Sequence, residues 1–599
     1  MSNPRHSDPD RPNRRARAPY NFVPLPEKVA RADQDLASLP THDRYHAGRL
    51  TGQIECRLVT QSPLYTRRAV SPQWWARWTE QMDRLHLDDE AKRYYAEFFQ
   101  VEADKPLIPG SSLRGMVRSV LEIIAHGHVR WVADQPAFTF RAVAAARTDP
   151  LSQPYDEIIG RFTRNVRAGY LNYDARRDAW SIQPALTPAD LRLGGEQSSF
   201  LRVKEDDIER NAVRGFRRLN NPNYRPGFYP VRFNVEPMSR GVRVVQLRSY
   251  DERDTARKYA GVLVCSGNMK ETTDDKPSPR KHHALILAPN RNQQPIPIEP
   301  EVIRAYKASL TDFQREQLTD WNEDGSFGCL GDGKPVFFVT EAKRDGRGQR
   351  QEYVRWFGHT PNFRVPARLQ VSGQERASTP LDFVPTALRT GDEPDLVEAI
   401  FGWVEDGITS LKGQRAGRVS FSDARFVAAQ NGLWLQESPV ALHTLSSPKP
   451  TTFQHYLVQD REHQHNPDQL SSLAHYGTSP TETQIRGYKR YWHKGPTPDL
   501  AATDKERQHS DQLTYVRPLK PGVEFNFTIR FENLSDVELG ALLWALALPG
   551  EAGRHYYHKL GMGKPLGMGA VALTPTLTVD DRTARYRQLL AGDQWHQPS

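Results

Sequence analysis

The stretch Ile-Pro-Gly-Ser-Ser-Leu-Arg-Gly-Met-Val-Arg, residues 108–118, predicts the start of an amphipathic helix. Pro109 and Gly110 interrupt the preceding segment, and Ser111 or Ser112 is placed to cap the helix. Apolar residues then recur at helical spacing as far as about residue 126. We therefore predict a helix over about 111–126 with unpaired backbone N–H groups at its N-terminus.

Two arginines on this helix, Arg114 and Arg118, fall largely outside the apolar stripe. A helix N-terminus with arginines beside it is a place where a phosphate can bind. The alternative is that Pro-Gly-Ser-Ser only begins a surface helix. Spacing alone does not decide between the two interpretations.

Outward from this helix, three strands and one further helix are clear from their patterns. Apolar and polar residues alternate over 50–60, 417–427 and 523–531, where Val419 and Phe421 oppose Arg418 and Ser420 in the second. Ser535 and Glu538 form a capping box for a helix over 535–548, and a last strand follows at about 570–574. The order βαββαβ predicts an α+β protein with a ferredoxin-like, RRM-like domain: two helices on one face of a four-stranded antiparallel sheet.

The rest of the chain interrupts or flanks this domain. A Trp/Tyr/Glu-rich stretch over 73–100 is interpreted as helical. The predicted segments are a disordered basic tail (1–18), the first half of the domain with an extended strap (19–129), a large β-rich insertion (130–395), the second-strand region (396–429), a long thumb-like excursion (430–517), the second half of the domain (518–580) and a C-terminal tail (581–599).

Composition restricts the function classes. The chain has 81 Lys+Arg against 72 Asp+Glu, a balance that fits a nucleic-acid partner without requiring one. Three scattered cysteines cannot form a disulfide framework or a zinc site on their own, so a reducing, cytoplasmic setting is expected. No apolar run is long enough to cross a membrane, so no membrane partner is expected.

A glycine-rich loop over 561–569 precedes the last strand. Its glycines, Gly561, Gly563, Gly567 and Gly569, surround Lys564. Glycines let the backbone approach a ligand, and successive N–H groups form an anion-binding concavity. Tight connections also need glycines without any ligand, so the loop alone is weak support for a site.

Cations and aromatic residues interleave over 486–494, within the long excursion. The candidate RNA-binding residues of this patch are Arg486, Lys489, Arg490, Tyr491, Trp492 and His493. Cations neutralise phosphates while aromatic faces stack on unpaired bases. The same composition also suits a buried segment whose charged ends reach solvent.

The ordered motifs resemble the RAMP superfamily, the RNA-binding subunits of CRISPR effector complexes. The resemblance is carried by 108–115, by Ile-Phe-Gly at 400–402, by 418–424, by the strand after Pro521-Gly522 and by the glycine loop. The segments 20–26 and 486–493 resemble a family of unusually large RAMP proteins from CRISPR loci. The match covers both ends of the chain well and the 130–395 insertion poorly.

The resemblance implies a subunit that binds CRISPR (guide) RNA, helps to hold a complementary target RNA and assembles with other effector subunits in antiviral defence. Some RAMP subunits cut the target with an aspartate between the first strand and the Pro-Gly-Ser-Ser helix. Asp104 is the candidate at that place, ahead of Asp83, Asp88 and Asp89, but the short glycine-rich loop of the cutting subunits is absent. We expect a binding role without a cofactor, and Mg²⁺ or Mn²⁺ only if RNA is cleaved.

Two other functions remain open from the sequence. One is an endoribonuclease of the same fold, which cuts targets or trims guide precursors. The other is a ferredoxin-like small-molecule enzyme with a phosphate site in the glycine loop. No metal site is expected, since neither His282-His283 nor His463 and His465 have the spacing of a closed zinc site, and we expect these histidines in solvated loops.

Overall fold

The structure is a computed structural model, and the chain divides into two compact units. Unit 1 comprises residues 1–132, 384–448 and 484–599, and unit 2 comprises residues 133–383 and 449–483. The structure describes residues 4–8, 18–32, 39–76, 89–102, 105–130, 132, 137–142, 151–193, 198–218, 227–238, 241–265, 282–310, 330–344, 348–371, 373–391, 393–405, 413–445, 452–462, 473–508, 512–587, 590–591 and 594–595.

The protein is α+β, with more strand than helix. The elements of unit 1 that position the candidate site are β1 (Tyr20–Val23), β2 (Leu50–Thr60), α1 (Gly110–Ile124), α2 (Leu396–Phe401), β3 (Val419–Phe421), β4 (Ala424–Ala429), β5 (Tyr488–Tyr491), β6 (Val523–Leu534), α3 (Asp536–Ala547), β7 (His558–Lys559) and β8 (Ala570–Val579). Its other strands are Gln100–Glu102, Lys105–Ile108, Trp403–Val404, Gln414–Arg415, Val440–Ala441, Tyr515–Val516, Leu590–Ala591 and Gln594–Trp595, and its other helices are Asp89–Ala96, Thr386–Arg389, Asp504–Arg507 and Arg582–Arg587.

The central sheet of unit 1 is antiparallel and has the order β7-β8-β2-β6-β4, extended by Lys105–Ile108 and Gln100–Glu102. β2 lies between β6 and β8, with Ile54 opposite Ile529 and Leu577. Alternate residues of β2 and β6 are buried, because a period of two places one face of each strand on the core. The predicted strands over 50–60 and 523–531 are confirmed.

Two helices pack their apolar faces into the same core. Leu113, Val117 and Leu121 of α1 lie there with Leu539 and Leu542 of α3. Ser535 caps α3 through the predicted capping box with Glu538. Burial of an apolar face stabilises a helix more than intrinsic propensity does. The apolar periodicity therefore predicted the ends of both helices to within two residues.

The predicted strand over 417–427 is divided into β3 and β4 by Ser422 and Asp423. Arg418 lies on the polar side of the alternating pattern and is nevertheless buried. Its side chain is 1% exposed and forms an ion pair with Glu538, while its Nε donates to the Ala399 carbonyl. Arg418 therefore ties α2 and α3 to the strand, and its charge is satisfied internally, as burial requires.

The strap predicted near residue 20 is β1, which pairs antiparallel with β5. The predicted helix over 73–100 is only partly right: Asp89–Ala96 is helical, Gln100–Glu102 is a strand, and residues 77–88 lie outside the described part. Most of the predicted tail over 1–18 also lies outside it. Among the described residues, no helix is long and apolar enough to cross a membrane.

Unit 2 is mostly strand. Its larger open sheet has five antiparallel strands in the order Val242–Ser249, Gly227–Pro237, Tyr259–Cys265, His282–Leu287 and Leu201–Lys204. A closed ring of five strands is formed by Ile296–Ile298, Arg350–Gly358, Pro335–Arg344, Arg167–Asp174 and Ala179–Pro184. Short strands are Thr139–Phe140, Val365–Pro366, Arg368–Val371 and Gln374–Ala377, and the helices are Ser152–Ile159, Pro300–Ala308 and Phe453–Tyr456. The predicted excursion over 430–517 contributes residues 449–483 to unit 2 and its remainder to unit 1.

Candidate nucleic-acid interface

The N-terminus of α1 already has an anionic partner inside the protein. The Gly110 N–H donates to the Asp423 carboxylate at 2.7 Å, from the break between β3 and β4. The expectation that Ser111 or Ser112 caps the helix is wrong, because the N-cap is Pro109 and no side chain of α1 caps it. A carboxylate at this end satisfies an unpaired N–H and the positive end of the helix dipole together.

The two arginines of α1 make intramolecular contacts. The Arg114 Nη2 donates to the Phe401 carbonyl at 2.5 Å, and its guanidinium lies 5.0 Å from the centre of the Phe401 ring. The Arg118 Nε donates to Glu122 at 2.9 Å, one helical turn away. Arg114 therefore holds the end of α2 on α1, so its removal would alter the fold as well as any ligand site.

The aromatic–basic patch is largely the strand β5 and its flanks. β5 pairs with β1, with Tyr491 opposite Tyr20 and Lys489 opposite Phe22. The Lys489 ammonium lies 5.0 Å from the Tyr20 ring centre and 5.1 Å from that of Tyr491. Arg486 lies over the Phe22 ring. Pairing with β1 thus arranges these cations and rings in an ordered sheet, where cation–π attraction fixes them.

Arg490 connects this strand to α1. Its Nη2 donates to the Ser119 carbonyl at 2.5 Å, and its Nη1 lies 3.4 Å from the Ser119 hydroxyl. Burial lowers the pKa of Arg490, while the Glu122 charge opposes that shift. The patch is therefore anchored on the third turn of α1, away from Ser111 and Ser112.

Beyond Arg490 the patch turns towards solvent. Trp492 is 52% exposed, although its backbone N–H donates to the Pro19 carbonyl at 3.0 Å. Tyr491 is half-buried, and its ring meets Tyr20 edge to face. His493 is exposed, and its pKa is lowered by partial burial and by the Lys559 charge. An exposed indole held by backbone hydrogen bonds offers a fixed face for a base to stack on.

The glycine loop is a tight connection between β7 and β8. All four of its glycines have positive φ, between 67° and 103°. A Cβ at Gly569 would lie 1.9 Å from the Leu560 carbonyl oxygen, so no other residue fits there. In the described part of the chain, the N–H groups of Gly563 and Lys564 have no hydrogen-bond acceptor. Two successive unpaired N–H groups are what an anion-binding turn requires.

The loop and the patch are in contact. A Cβ at Gly567 would lie 2.8 Å from the Lys494 Cβ, because the loop packs against the end of the patch. The Lys559 ammonium, on β7, donates to the Gly567 and Met568 carbonyls at 3.2 and 3.0 Å. Separate sequence patterns indicated the patch and the loop, and the fold brings the two together.

Four cations surround this junction, and we call Arg490, Lys494, Lys559 and Lys564 the basic cluster. Burial and the charges of Lys564 and Lys494 lower the pKa of Lys559 to about 8. Burial and the Arg490 charge lower that of Lys564. No residue of the basic cluster forms a salt bridge with any described carboxylate. Mutual repulsion among these cations, offset only at Arg490 by the Glu122 charge, costs free energy that a bound phosphate would recover.

Lys559 was not singled out from the sequence. It lies two residues before the loop, on a strand of only two residues next to the buried His558. Neither its periodicity nor a motif marks it. The only sequence signal for Lys559 is its position two residues before the glycine loop, which was itself a candidate site.

The candidate catalytic residue Asp104 lies outside the described residues, as do Asp83, Asp88 and the side chain of Asp89. Cleavage at Asp104 therefore stays an alternative hypothesis. His463 and His465 also lie outside them. The expectation of a solvated loop is wrong for His283, which is buried on a strand with its Nε2 3.1 Å from the Glu205 carboxylate.

His128, Asp395 and Glu398 are buried together and could place one ligand atom each within 4.8 Å of the others. Their oxygens have partners already. The two Asp395 oxygens accept from the His128 and Glu398 N–H groups, at 2.6 and 2.7 Å. One Glu398 oxygen accepts from the Asp395 N–H, and the other lies 3.2 Å from the Arg130 Nε. The group therefore serves as the capping network of α2.

Comparison with known proteins identifies no relative from which a role for this site could be taken. The chain matches no protein-family model, and a search of curated proteins also found no match.

Proposed function

We propose that this protein is a RAMP-superfamily subunit of a cytoplasmic CRISPR effector complex, which binds guide RNA and helps to hold a complementary target RNA. The observation that carries the proposal is the basic cluster: four cations without a carboxylate partner, beside an exposed tryptophan and a glycine turn with unpaired N–H groups.

The topology of unit 1 supports a ferredoxin-like RAMP domain. In the order β2, α1, β3/β4, β6, α3, β8, the four strands lie in the sheet as fourth, first, third, second. Each half is a strand–helix–strand crossover in which the other half supplies the intervening strand. The basic cluster lies beside the loop that precedes the fourth strand.

RNA phosphates are held by the basic cluster and the glycine turn. Lys494 is exposed, and Lys564 is half-buried beside the unpaired N–H groups. These contacts read the backbone, not the base sequence, because ammonium groups and N–H donors recognise phosphate oxygens alone. Pairing between guide and target then supplies the sequence specificity.

The exposed face of Trp492, with Tyr491 beside it, stacks on an unpaired base at the edge of the cluster. Stacking contributes about 1–3 kcal/mol per base and tolerates any base, since each base has an aromatic face. A subunit that binds guides of many sequences needs phosphate contacts and base stacking, because neither depends on the base sequence.

The test is to purify the tagged protein from its own host and to sequence the bound RNA. RNA derived from CRISPR repeats is expected. The Lys494→Gln/Lys564→Gln variant should recover less RNA than the Lys505→Gln control, which removes an exposed lysine elsewhere in unit 1. Purified protein that carries no RNA in either form would refute the proposal.

A further inference from the structure

Unit 2 contains a cleft lined mainly by arginine and aromatic side chains. It lies between the helix Pro300–Ala308, the strand Arg350–Gly358 and residues 364–368. The side chains that matter here are Arg355, Trp356, Arg364 and Arg368.

The arginines outnumber the carboxylates that pair with them. Arg355 is neutralised by Glu341, at 3.1 Å from its Nε, and by Glu375, at 2.5 Å from its Nη2. Arg368 relies on the same Glu375, at 3.2 Å. Arg364 forms no ion pair with any described residue. One carboxylate thus serves two guanidinium groups, and a third guanidinium has none.

A fourth arginine adds to the excess. Arg141 lies close enough for its charge to lower the pKa of Arg364, together with burial, and no described residue accepts a hydrogen bond from its buried Nε. Burial and the charge of Arg355 likewise lower the pKa of Arg368. Glu341 and Glu375 offset only part of this positive charge, and the excess raises the free energy of the empty cleft.

Two buried donors at the cleft have no acceptor among the described residues. The Arg368 side chain is 8% exposed, and its Nε–H is unpaired although both its Nη groups are hydrogen-bonded. The Trp356 Nε1–H is unpaired as well, and the Arg368 guanidinium lies 5.5 Å from the Trp356 ring centre. Buried polar groups are almost always paired, so an acceptor that enters the cleft would relieve the cost of leaving these two donors unpaired.

We propose that this cleft binds a phosphate group, with Arg364 and Arg368 as its principal ligands and the Trp356 Nε1–H as a third donor. A guanidinium presents N–H donors in a planar fork that matches two phosphate oxygens. The inference concerns unit 2 alone and does not rest on the proposed role of unit 1. The phosphate has two sources: a free phosphate monoester, or a phosphodiester of RNA.

The experiment is calorimetric titration of the full chain with inorganic phosphate, with adenosine 5′-monophosphate and with a short RNA that has 5′-hydroxyl ends. Arg364→Gln should weaken binding about tenfold, the loss expected for one charge-assisted contact. Arg291→Gln removes an exposed arginine elsewhere in unit 2 and should bind like the natural chain. Arg368 is left unchanged in these variants, because its Nη groups hold Glu375 and the Arg355 carbonyl and its replacement would also weaken the fold.

The three titrants distinguish the sources. Binding of phosphate and of the mononucleotide, lost in Arg364→Gln, assigns the cleft to a monoester. Binding of the RNA alone, with the same loss, assigns it to an RNA phosphodiester. The proposal is overturned if none of the three loses affinity in Arg364→Gln. Because Arg364 is exposed and unpaired, its replacement leaves the fold intact, and an unchanged affinity has no other explanation.

Discussion

Removing two lysines of the basic cluster should reduce the salt dependence of RNA binding. Lys494 and Lys564 form no salt bridge with a described residue, and one of them lies beside the unpaired N–H groups of the glycine turn. If each neutralises one phosphate, the slope of log affinity against log salt falls by about 0.7 per lysine on single-stranded RNA. From 50 to 200 mM salt, the natural chain should therefore lose about sevenfold more affinity than Lys494→Gln/Lys564→Gln.

The assay is fluorescence anisotropy with a labelled guide RNA over a salt series. Lys505→Gln is the single-charge control, since Lys505 is exposed on a short helix of unit 1. A control slope equal to that of the natural chain, with a smaller slope in the double variant, is expected. If the double variant and the natural chain have the same slope, no phosphate lies at the cluster and the reasoning fails.

Three further predictions concern unit 1. The pKa of Lys559 is about 8 without RNA, and a bound phosphate raises it. RNA affinity should therefore be full below pH 8 and fall above it, in binding measured from pH 7 to 9.5. Lys559→Arg, which stays charged over this range, should remove most of that decline. Tyr491→Ala with Trp492→Ala should weaken RNA binding by about 1–3 kcal/mol per stacked base. Loss of the exposed Trp492 should leave the melting temperature unchanged, and loss of the contact between Tyr491 and Tyr20 should lower it slightly; equal affinity would exclude stacking there. Arg418→Met should lower the free energy of unfolding in urea by about 3 kcal/mol, since it leaves a buried carboxylate short of one partner. Arg57→Met, at an exposed pair, should cost far less because water screens that pair; equal losses would refute the argument from burial.

The periodic elements of unit 1 were predictable because their signals are local. β2 and β6 alternate along their own sequence, and α1 and α3 repeat at helical spacing. The apolar positions that a strand or helix buries are the same positions that produce the periodic pattern, so the pattern predicts the element. Segments without such a pattern, including most of unit 2, offered no comparable signal.

The capping of α1 was not predictable, because its partner is distant in sequence. Asp423 reaches Gly110 across 313 residues. Serine is frequent among helix N-cap residues, and this preference predicted Ser111 or Ser112 as the cap. The acceptor is instead the Asp423 carboxylate, which pairs with the Gly110 N–H. Arg418 is a related case: it lies on the polar side of an alternating pattern, whereas Glu538, 120 residues later, pairs with it in the protein interior.

The candidate site was half predictable. The patch and the loop each carry a compositional signal, and both were selected. Their contact was not visible, since Lys494 and Gly567 are brought together only by the sheet that places β7 and β8 beside the end of the patch. Lys559 became a candidate through that contact alone, without any motif of its own.

Arg490 joins fold and binding in one side chain, and this determines which variants are informative. Its guanidinium holds Ser119 of α1 while its charge lowers the pKa of Lys564 and of His558. Removing it would release β5 from α1 and at once reduce the repulsion at the cluster, so a loss of RNA affinity would have two causes. Lys494 and Lys564 contribute charge without such a tie to another element, and their replacement separates the electrostatic contribution from the structural one.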